Sequence, residues 1–228
     1  MKILRFEELD STNTYAKTLL KSGESAVIVA ERQTGGRGTK GRSFVSNEGG
    51  VYLTKLDFHD GFPAKDAFKI MSGAAVAVCK TLERFSFSPV IKWANDVHVN
   101  GKKICGILIE NVFSGTNIAA SIVGIGLNVN NVLPEELREI AVSMREAAGK
   151  PFDKSEVEAA LIEELNGAFS VSDYLSRVGY LNREITLLEG GERNPVYALS
   201  VTERGELVVE QGGKIRTVTA AEVSLRLD

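Results

Sequence analysis

The sequence predicts an α+β fold in which a mixed β-sheet is backed by helices and followed by a small C-terminal β-barrel. Strand-like and helix-like segments alternate over residues 1–178. One long segment has an apolar helical stripe and several small residues, so it can approach a sheet closely. From residue 184 onward, five short β-rich runs are separated by glycines, as in a small barrel. We therefore predict two domains, residues 1–178 and 179–228.

The first part of the chain predicts three strands and two helices. The strands cover residues 3–9, 26–31 and 49–58. A short helix follows the first strand, because Ser11 and Thr12 offer capping hydroxyls and Gly23 can end the helix. The long helix covers residues 64–85, where the apolar side chains of Phe68 and Leu82 belong to one stripe.

The next part predicts a hairpin, a further strand region and more helix. An apolar strand covers residues 88–93, and Asn100-Gly101 predicts a type I′ turn whose return strand ends at Glu110. Residues 117–130 predict either one long strand or a strand pair. Pro134 predicts the start of a helix over residues 135–148. Residues 155–176 predict further helix, with an interruption at Asn166-Gly167.

Composition and charge exclude several classes of protein. The chain has 228 residues, a net charge of −3 and 43% hydrophobic residues, which is ordinary for a globular protein and unlike a general nucleic-acid binder. No apolar run approaches the ~20 residues that a membrane span needs. Two cysteines and two histidines form no paired metal motif. We expect a cytoplasmic protein with no membrane partner, no DNA partner and no metal site of its own.

A glycine-rich loop follows the second predicted strand. Its glycines form the pattern G-x-G-x-x-G, at Gly36, Gly38 and Gly41. A dinucleotide site needs a helix to begin at the third glycine, whereas the residues that follow here predict another strand. The loop also carries three cations, Arg37, Lys40 and Arg42. We therefore expect the loop to hold some other anion, and a solvated turn is the alternative.

Polar side chains cluster at three strand or helix ends, where ligands tend to bind. The clusters are Ser11-Thr12-Asn13, the loop of residues 33–42, and residues 92–96 together with Lys102 and Lys103. They combine cations, neutral hydrogen-bonding groups and one isolated acid, and they lack the groups for covalent catalysis. Each of these residues also has a purely structural interpretation. Ser11 would then be only a helix cap, Asp96 would form only an Asx turn, and Lys102 and Lys103 would be solvated surface residues. Trp93 is interpreted as a core residue.

Taken together, the three clusters resemble the signature of the biotin–protein ligase family. The family's Ser-Thr-Asn is matched by Ser11, Thr12 and Asn13. Its loop G-R-G-R-x-G-R after a glutamine is matched by Gln33 and residues 36–42. Its K-W-P-N-D and K-x-x-G-I-L-x-E segments are matched by residues 92–96 and 103–110, and its G-x-G-x-N strand places Asn128. The match covers essentially the whole chain, whose tail resembles the family's SH3-like C-terminal domain.

The resemblance implies a two-step reaction and assigns residues to it. Biotin would be activated with Mg-ATP to biotinyl-5′-AMP, and a lysine of a biotin carboxyl carrier protein would then take the biotin. The implied catalytic residues are Lys103, Asp96 and Arg37. The implied biotin-binding residues are Ser11, Thr12, Asn13, Gln33, Gly36, Arg37, Gly38 and Lys103. The implied ATP-binding residues are Arg37, Lys40, Arg42, Asn95, Lys103 and Asn128, with Mg²⁺ held by the substrate phosphates.

Two positions depart from the family pattern, and two rival functions stay open. Ala94 replaces the proline of K-W-P-N-D, which we expect to change a turn without touching the chemistry. Thr39 replaces the second arginine of the loop, which in the family helps to retain the adenylate, so we hypothesise weaker retention here. The rivals are a lipoate–protein ligase and a non-catalytic, regulatory biotin-binding module. Both a monomer and a homodimer are compatible with the resemblance.

Overall fold

The computed structural model describes residues 1–220 and the backbone of residues 223–226. It contains a seven-stranded sheet and a five-stranded sheet, with helices on the first, so the predicted fold class is confirmed. The predicted division into residues 1–178 and 179–228 stays a prediction, because core residues of both sheets form one hydrophobic cluster. The final residues of the second predicted domain lie outside the described residues.

The large sheet has the strand order β1-β2-β3-β7-β6-β5-β4. Its strands are β1 Lys2–Leu9, β2 Ala26–Gln33, β3 Val51–Pro63, β4 Val90–Lys92, β5 Asp96–Val99, β6 Lys102–Ser114 and β7 Asn117–Leu127. β1 pairs with β2 in parallel, and the remaining neighbours are antiparallel. Asn100 and Gly101 have φ values of 52° and 77°, as the predicted type I′ turn requires. β7 is one continuous strand, which resolves the alternative that the sequence left open.

Helices cover both faces of the large sheet. They are α1 Thr12–Thr18, α2 Ala67–Arg84, α3 Met144–Ala148, α4 Lys154–Glu164 and α5 Val171–Leu175. α2 packs on one face, where its small residues Ala74, Ala75 and Ala77 are buried. α1 packs on the other face, where Ala16 meets a separate apolar cluster from β2, β3 and β7. α4 and α5 are separated near Asn166-Gly167, as predicted. None of the described helices combines the length and apolarity that a membrane span needs.

The predicted helix over residues 135–148 is wrong. The structure has a single 3₁₀ turn, Glu135–Leu137, and then no helix until α3. The reason is tertiary: the Lys103 N–H donates to Ile140 O, and the Val142 N–H donates to Lys103 O. These bonds hold residues 140–142 extended beside the start of β6, so local helical preference is overridden. α3 then begins after Ser143, which forms a capping box with Glu146.

The second sheet has the strand order β11-β10-β9-β8-β12 and is antiparallel throughout. Its strands are β8 Arg183–Glu189, β9 Glu192–Val201, β10 Leu207–Gln211, β11 Lys214–Val218 and β12 Val223–Arg226. Five strands were predicted in this region. The ends of the last predicted run, Glu222 and Leu227, lie outside the described residues.

Trp93 joins the second sheet to the segment that follows β4. Its indole Nε1 donates to Gly205 O at 2.8 Å, and its backbone N–H donates to the Tyr180 hydroxyl at 2.8 Å. The Tyr174 hydroxyl donates to the carbonyl of the next residue, Ala94, at 3.1 Å. Trp93 is 6% exposed, so its interpretation as a core residue is confirmed. Hydrogen bonds with Tyr174, Tyr180 and Gly205 therefore fix the segment between β4 and β5.

We expect Tyr180→Phe to lower the free energy of unfolding by about 1–3 kcal/mol, because it leaves the buried Trp93 N–H without an acceptor. Tyr197→Phe is the matched control: its hydroxyl donates to Asn182 O, but the residue is 39% exposed. The control should change stability by less than about 0.5 kcal/mol. Urea unfolding measures both, and equal losses would contradict the proposed role of Tyr180.

Candidate active site

A cleft lies over the middle of the large sheet, on the face that carries α1. Its floor is formed by three glycines, Gly106 on β6 and Gly124 and Gly126 on β7, with Gly106 paired to Gly126. A Cβ atom on Gly124 would collide with Asn13 Oδ1, and one on Gly126 would collide with the Phe44 ring. Asn13 and Phe44 thus pack directly against the backbone of β7. The cleft has an empty volume of about 460 Å³, which includes space open to solvent.

The structure brings most of the predicted site residues to this cleft. The neutral side chains Ser11, Thr12, Asn13 and Gln33 form a first wall, and Arg37, Gly38, Asn95 and Lys103 also line the cleft. Asp96 adjoins the cleft through Lys103. Besides Asp96, four predicted residues do not line it: Gly36, Lys40, Arg42 and Asn128. Thr39 and Phe44, which were not predicted as binding residues, do line it.

The first wall is neutral and hydrogen-bonded to itself. Gln33 Oε1 accepts from the Thr12 N–H at 2.8 Å and lies 3.1 Å from the Thr12 hydroxyl, while Gln33 Nε2 donates to Ser46 Oγ at 2.8 Å. Ser11 caps α1 by accepting from the Thr14 N–H at 3.5 Å, so it serves as a helix cap and also lines the cleft. These bonds fix the positions of neutral donors and acceptors at the cleft.

The glycine loop folds back on itself as a narrow hairpin. The Phe44 N–H donates to Gly36 O at 2.8 Å, and the Gly38 N–H donates to Arg42 O at 2.7 Å. A Cβ atom on Gly36 would collide with Phe44 O, so the close approach of the two arms requires glycine there. The next long element is β3, which confirms that the loop does not open a helix in the manner of a dinucleotide site. Lys40 and Arg42 lie on its exposed outer part.

Each of the two cations that line the cleft lies beside a carboxylate. Lys103 Nζ is 2.7 Å from Asp96 Oδ1, and both side chains are partly buried. The same Nζ lies 5.8 Å from the centroid of the Phe44 ring. Arg37 Nη1 is 3.6 Å from Glu110 Oε1. Lys103 is therefore part of the cleft, whereas Lys102 turns away and donates to Arg138 O at 2.5 Å.

Glu110 is the residue that sequence reasoning missed. Its Oε1 is 2.7 Å from Lys17 Nζ, and its Oε2 accepts from Asn13 Nδ2 at 3.1 Å. Partial burial acts to raise the pKa of Glu110, but the hydrogen bonds from Lys17 and Asn13 and the charges of Lys17 and Arg37 outweigh burial and lower that pKa. The sequence did contain a signal for this position, because strand alternation puts Glu110 on the same face of β6 as Gly106.

Asn128 has a structural position. It is 4% exposed, its Nδ2 donates to Val142 O at 3.4 Å, and its Oδ1 accepts from Asn131 Nδ2 at 3.0 Å. These contacts tie the end of β7 to the extended segment before α3. The predicted role of Asn128 beside a nucleotide stays a prediction. Across residues 1–220, no three His, Cys, Asp or Glu side chains are grouped as metal ligands would be.

Comparison with known proteins gives consistent matches. The family described as "Biotin/lipoate A/B protein ligase family" matches residues 6–128. The bifunctional ligase/repressor BirA of Bacillus subtilis is 30% identical to this chain, and the alignment covers 98% of this chain and 74% of BirA. The biotin–[acetyl-CoA-carboxylase] ligase of Mycobacterium tuberculosis is 27% identical, and the alignment covers 93% of this chain and 85% of that ligase. The solved biotin protein ligase of Aquifex aeolicus, in complex with biotin and ATP, superposes with a TM-score of 0.81 at 30% identity, covering 100% and 99% of the two chains.

We expect Gly126→Ala to destabilise the protein by about 1–3 kcal/mol, because the added methyl would collide with the Phe44 ring and displace the glycine loop. Gly73→Ala is the matched control: a methyl added there would meet nothing within 4 Å, and alanine favours helix α2 by about 0.5–1 kcal/mol. Thermal or urea unfolding compares the two. Similar stabilities would show that Phe44 does not need the glycine floor.

Proposed function

Because the chain belongs to the biotin/lipoate A/B protein ligase family, we propose that it is an ATP-dependent biotin–protein ligase. The observation that carries the proposal is the cleft itself. It combines two cations, Arg37 and Lys103, with the neutral wall that includes Thr12 and Gln33. Such a site suits a ligand with an uncharged polar ring and an acid group. The similarity to ligases along nearly the whole chain supports the same reaction.

In the first proposed step, a biotin carboxylate oxygen bonds to the α-phosphorus of Mg-ATP and pyrophosphate leaves. Both reactants are anions, so the site must lower their repulsion. Lys103 and Arg37 supply positive charge to the cleft, and Gly36 and Gly38 let the loop backbone come close. Lys40 and Arg42 are exposed at the outer part of the loop. They would reach the phosphates when the loop closes, which would also exclude water from the adenylate.

The neutral wall suits the ureido ring of biotin, which presents both donors and acceptors. Ser11, Thr12 and Gln33 would contact this ring, with Asn13 supporting them from below. Asn95 lines the cleft, where we propose that it contacts the nucleotide. Asn128 is assigned to the nucleotide by the resemblance, and it acts in the structure by holding the neighbouring segment.

In the second proposed step, a lysine amine of the carrier attacks the acyl carbon and AMP leaves. The amine must be neutral, although a free lysine has a pKa of ~10.4. Asp96 is the acid nearest to the cleft cations, because it pairs with Lys103 at 2.7 Å. We propose that Asp96 orients the incoming amine and accepts its proton as Lys103 turns to the acyl phosphate.

The carrier, the assembly and the compartment are further parts of the proposal. The acceptor is a lysine of a biotin carboxyl carrier protein. A homodimer would have a surface available at β6, which pairs with β5 only as far as Gly106 and carries Phe113, 59% exposed, near its end. We propose a cytoplasmic location, where Cys79 and Cys105, both free and buried, would stay reduced.

We expect Lys103→Met to lower kcat/KM for biotin-dependent ATP–pyrophosphate exchange by about 10²–10³, because one charge that stabilises the transition state is lost. Lys102→Met removes the neighbouring lysine, which points away from the cleft, and should stay near wild type. Equal effects of the two substitutions would contradict the role given to Lys103.

The same assay separates the rival functions. Biotin-dependent exchange supports the ligase, whereas biotin binding without any exchange would identify a non-catalytic binding module. Exchange with lipoate in place of biotin would identify a lipoate–protein ligase.

We expect Thr39→Arg to reduce stray biotinylation of a non-carrier protein such as serum albumin, because an arginine at this cleft-lining position would retain the adenylate. Thr34→Arg is the control, since it adds the same charge at an exposed residue that does not line the cleft. Biotin transfer to albumin is measured by avidin blotting. If wild type and Thr39→Arg label albumin equally, weaker retention is refuted.

A further inference from the structure

Glu110 connects the first wall with the glycine loop. Its carboxylate contacts Asn13 and Lys17, both on α1, and Arg37 of the glycine loop. Glu110 is distant from all three in the sequence, and β6 brings its carboxylate to the point where they meet. Neither step of the proposed reaction assigns a role to Glu110.

The contact with Asn13 sets the direction of a hydrogen-bond chain. A carboxylate can only accept, so Asn13 must present its NH₂ group to Glu110 and its Oδ1 to the Thr54 hydroxyl, 2.7 Å away. Thr54 is fully buried, and because its one hydrogen goes to Asn13 it accepts from the Thr12 hydroxyl at 2.8 Å. The acceptor that Glu110 offers thus sets the direction of the hydrogen bonds from Asn13 through Thr54 to Thr12.

The contact with Arg37 is the weakest that Glu110 makes. Its length is 3.6 Å, against 2.7 Å for Lys17, and the Arg37 side chain is 51% exposed against 40% for Lys17. An exposed ion pair of this kind exchanges readily, because water already screens it. Lys17 and Asn13 keep Glu110 in place when Arg37 leaves. The arrangement therefore combines a fixed carboxylate with a releasable guanidinium.

We propose that Glu110 is a positioning residue that orients Asn13 and holds Arg37 at the edge of the cleft until substrate phosphate draws it away. The proposal rests on the ligase function, because it names Arg37 as the group that the substrate anion must capture. Glu110 and the phosphates then compete for one guanidinium, while Lys17 competes with Arg37 for Glu110.

The competition predicts opposite effects from two substitutions. Glu110→Gln keeps an oxygen for Asn13 but removes the charge that holds Arg37, so the KM for ATP should fall about two- to fivefold with kcat little changed. Lys17→Met leaves Arg37 as the remaining cation beside Glu110, so the KM for ATP should rise. In an Arg37→Ala background, Glu110→Gln should have no effect on this KM. Shifts in the same direction, or an unchanged KM, would overturn the proposal.

The orientation of Asn13 is tested separately. Glu110→Ala removes the acceptor and should raise the KM for biotin at least about tenfold, because a hydrogen bond to a charged group is lost. Glu110→Gln should recover most of this loss, since its amide oxygen can still accept from Asn13, although without the negative charge. Failure of this rescue would show that Asn13 does not depend on the acceptor.

A measurement without substrate distinguishes this proposal from the ligase function. Trypsin cleavage after Lys40 and Arg42 in the ligand-free protein, followed by mass spectrometry, reports how firmly Arg37 holds the loop. Cleavage should accelerate in Glu110→Gln and slow in Lys17→Met. It should not change in Glu31→Gln, which removes a surface ion pair with Lys154. The tryptic shifts without pyrophosphate exchange would support the positioning role and reject the ligase, whereas exchange without the shifts would reject the positioning role.

Discussion

Repulsion between two anions is the constraint on which the site depends. The reaction needs positive charge in the cleft, but cations left alone there would repel each other and the nearby loop. Each cation that lines the cleft therefore lies beside a carboxylate, Lys103 beside Asp96 and Arg37 beside Glu110. The pairs differ in strength, because the first is short and partly buried and the second is long and exposed. One cation is thus held firmly in the cleft, and the other is held loosely at its edge.

The glycine floor makes this charge arrangement possible. Without side chains on the cleft face at Gly124 and Gly126, Asn13 and Phe44 can lie against the backbone of β7. Phe44 then separates the loop from the sheet and lies near Lys103. Asn13 in turn reaches down to Glu110 toward the far end of β6. Packing and electrostatics are coupled here, since a larger floor residue would displace the side chains that carry or orient charge.

The sequence predicts most of the architecture, and its failures have physical causes. Strands and helices with clear periodicity, such as β2 and α2, are predicted within a few residues of their ends. The helix over residues 135–148 fails because its backbone bonds go to Lys103, a contact distant in sequence. The three motifs predict the cleft. Glu110 is the last residue of the K-x-x-G-I-L-x-E segment, but its role becomes visible only from the residues that it contacts in the structure. Asn128 looks like a ligand contact in sequence and is buried in the structure.

The contact between Trp93 and the carbonyl of Gly205 limits how the two sheets can be exchanged between relatives. Gly205 adopts a φ of 85°, and a methyl there would collide with the Phe68 ring on α2. The turn that accepts the indole hydrogen bond is thus shaped by a helix that packs on the other sheet. A chimera that takes its C-terminal sheet from a relative must import a turn of matching shape. Recombination between family members should therefore tolerate breakpoints that keep this turn together with Phe68 and Trp93 from one parent.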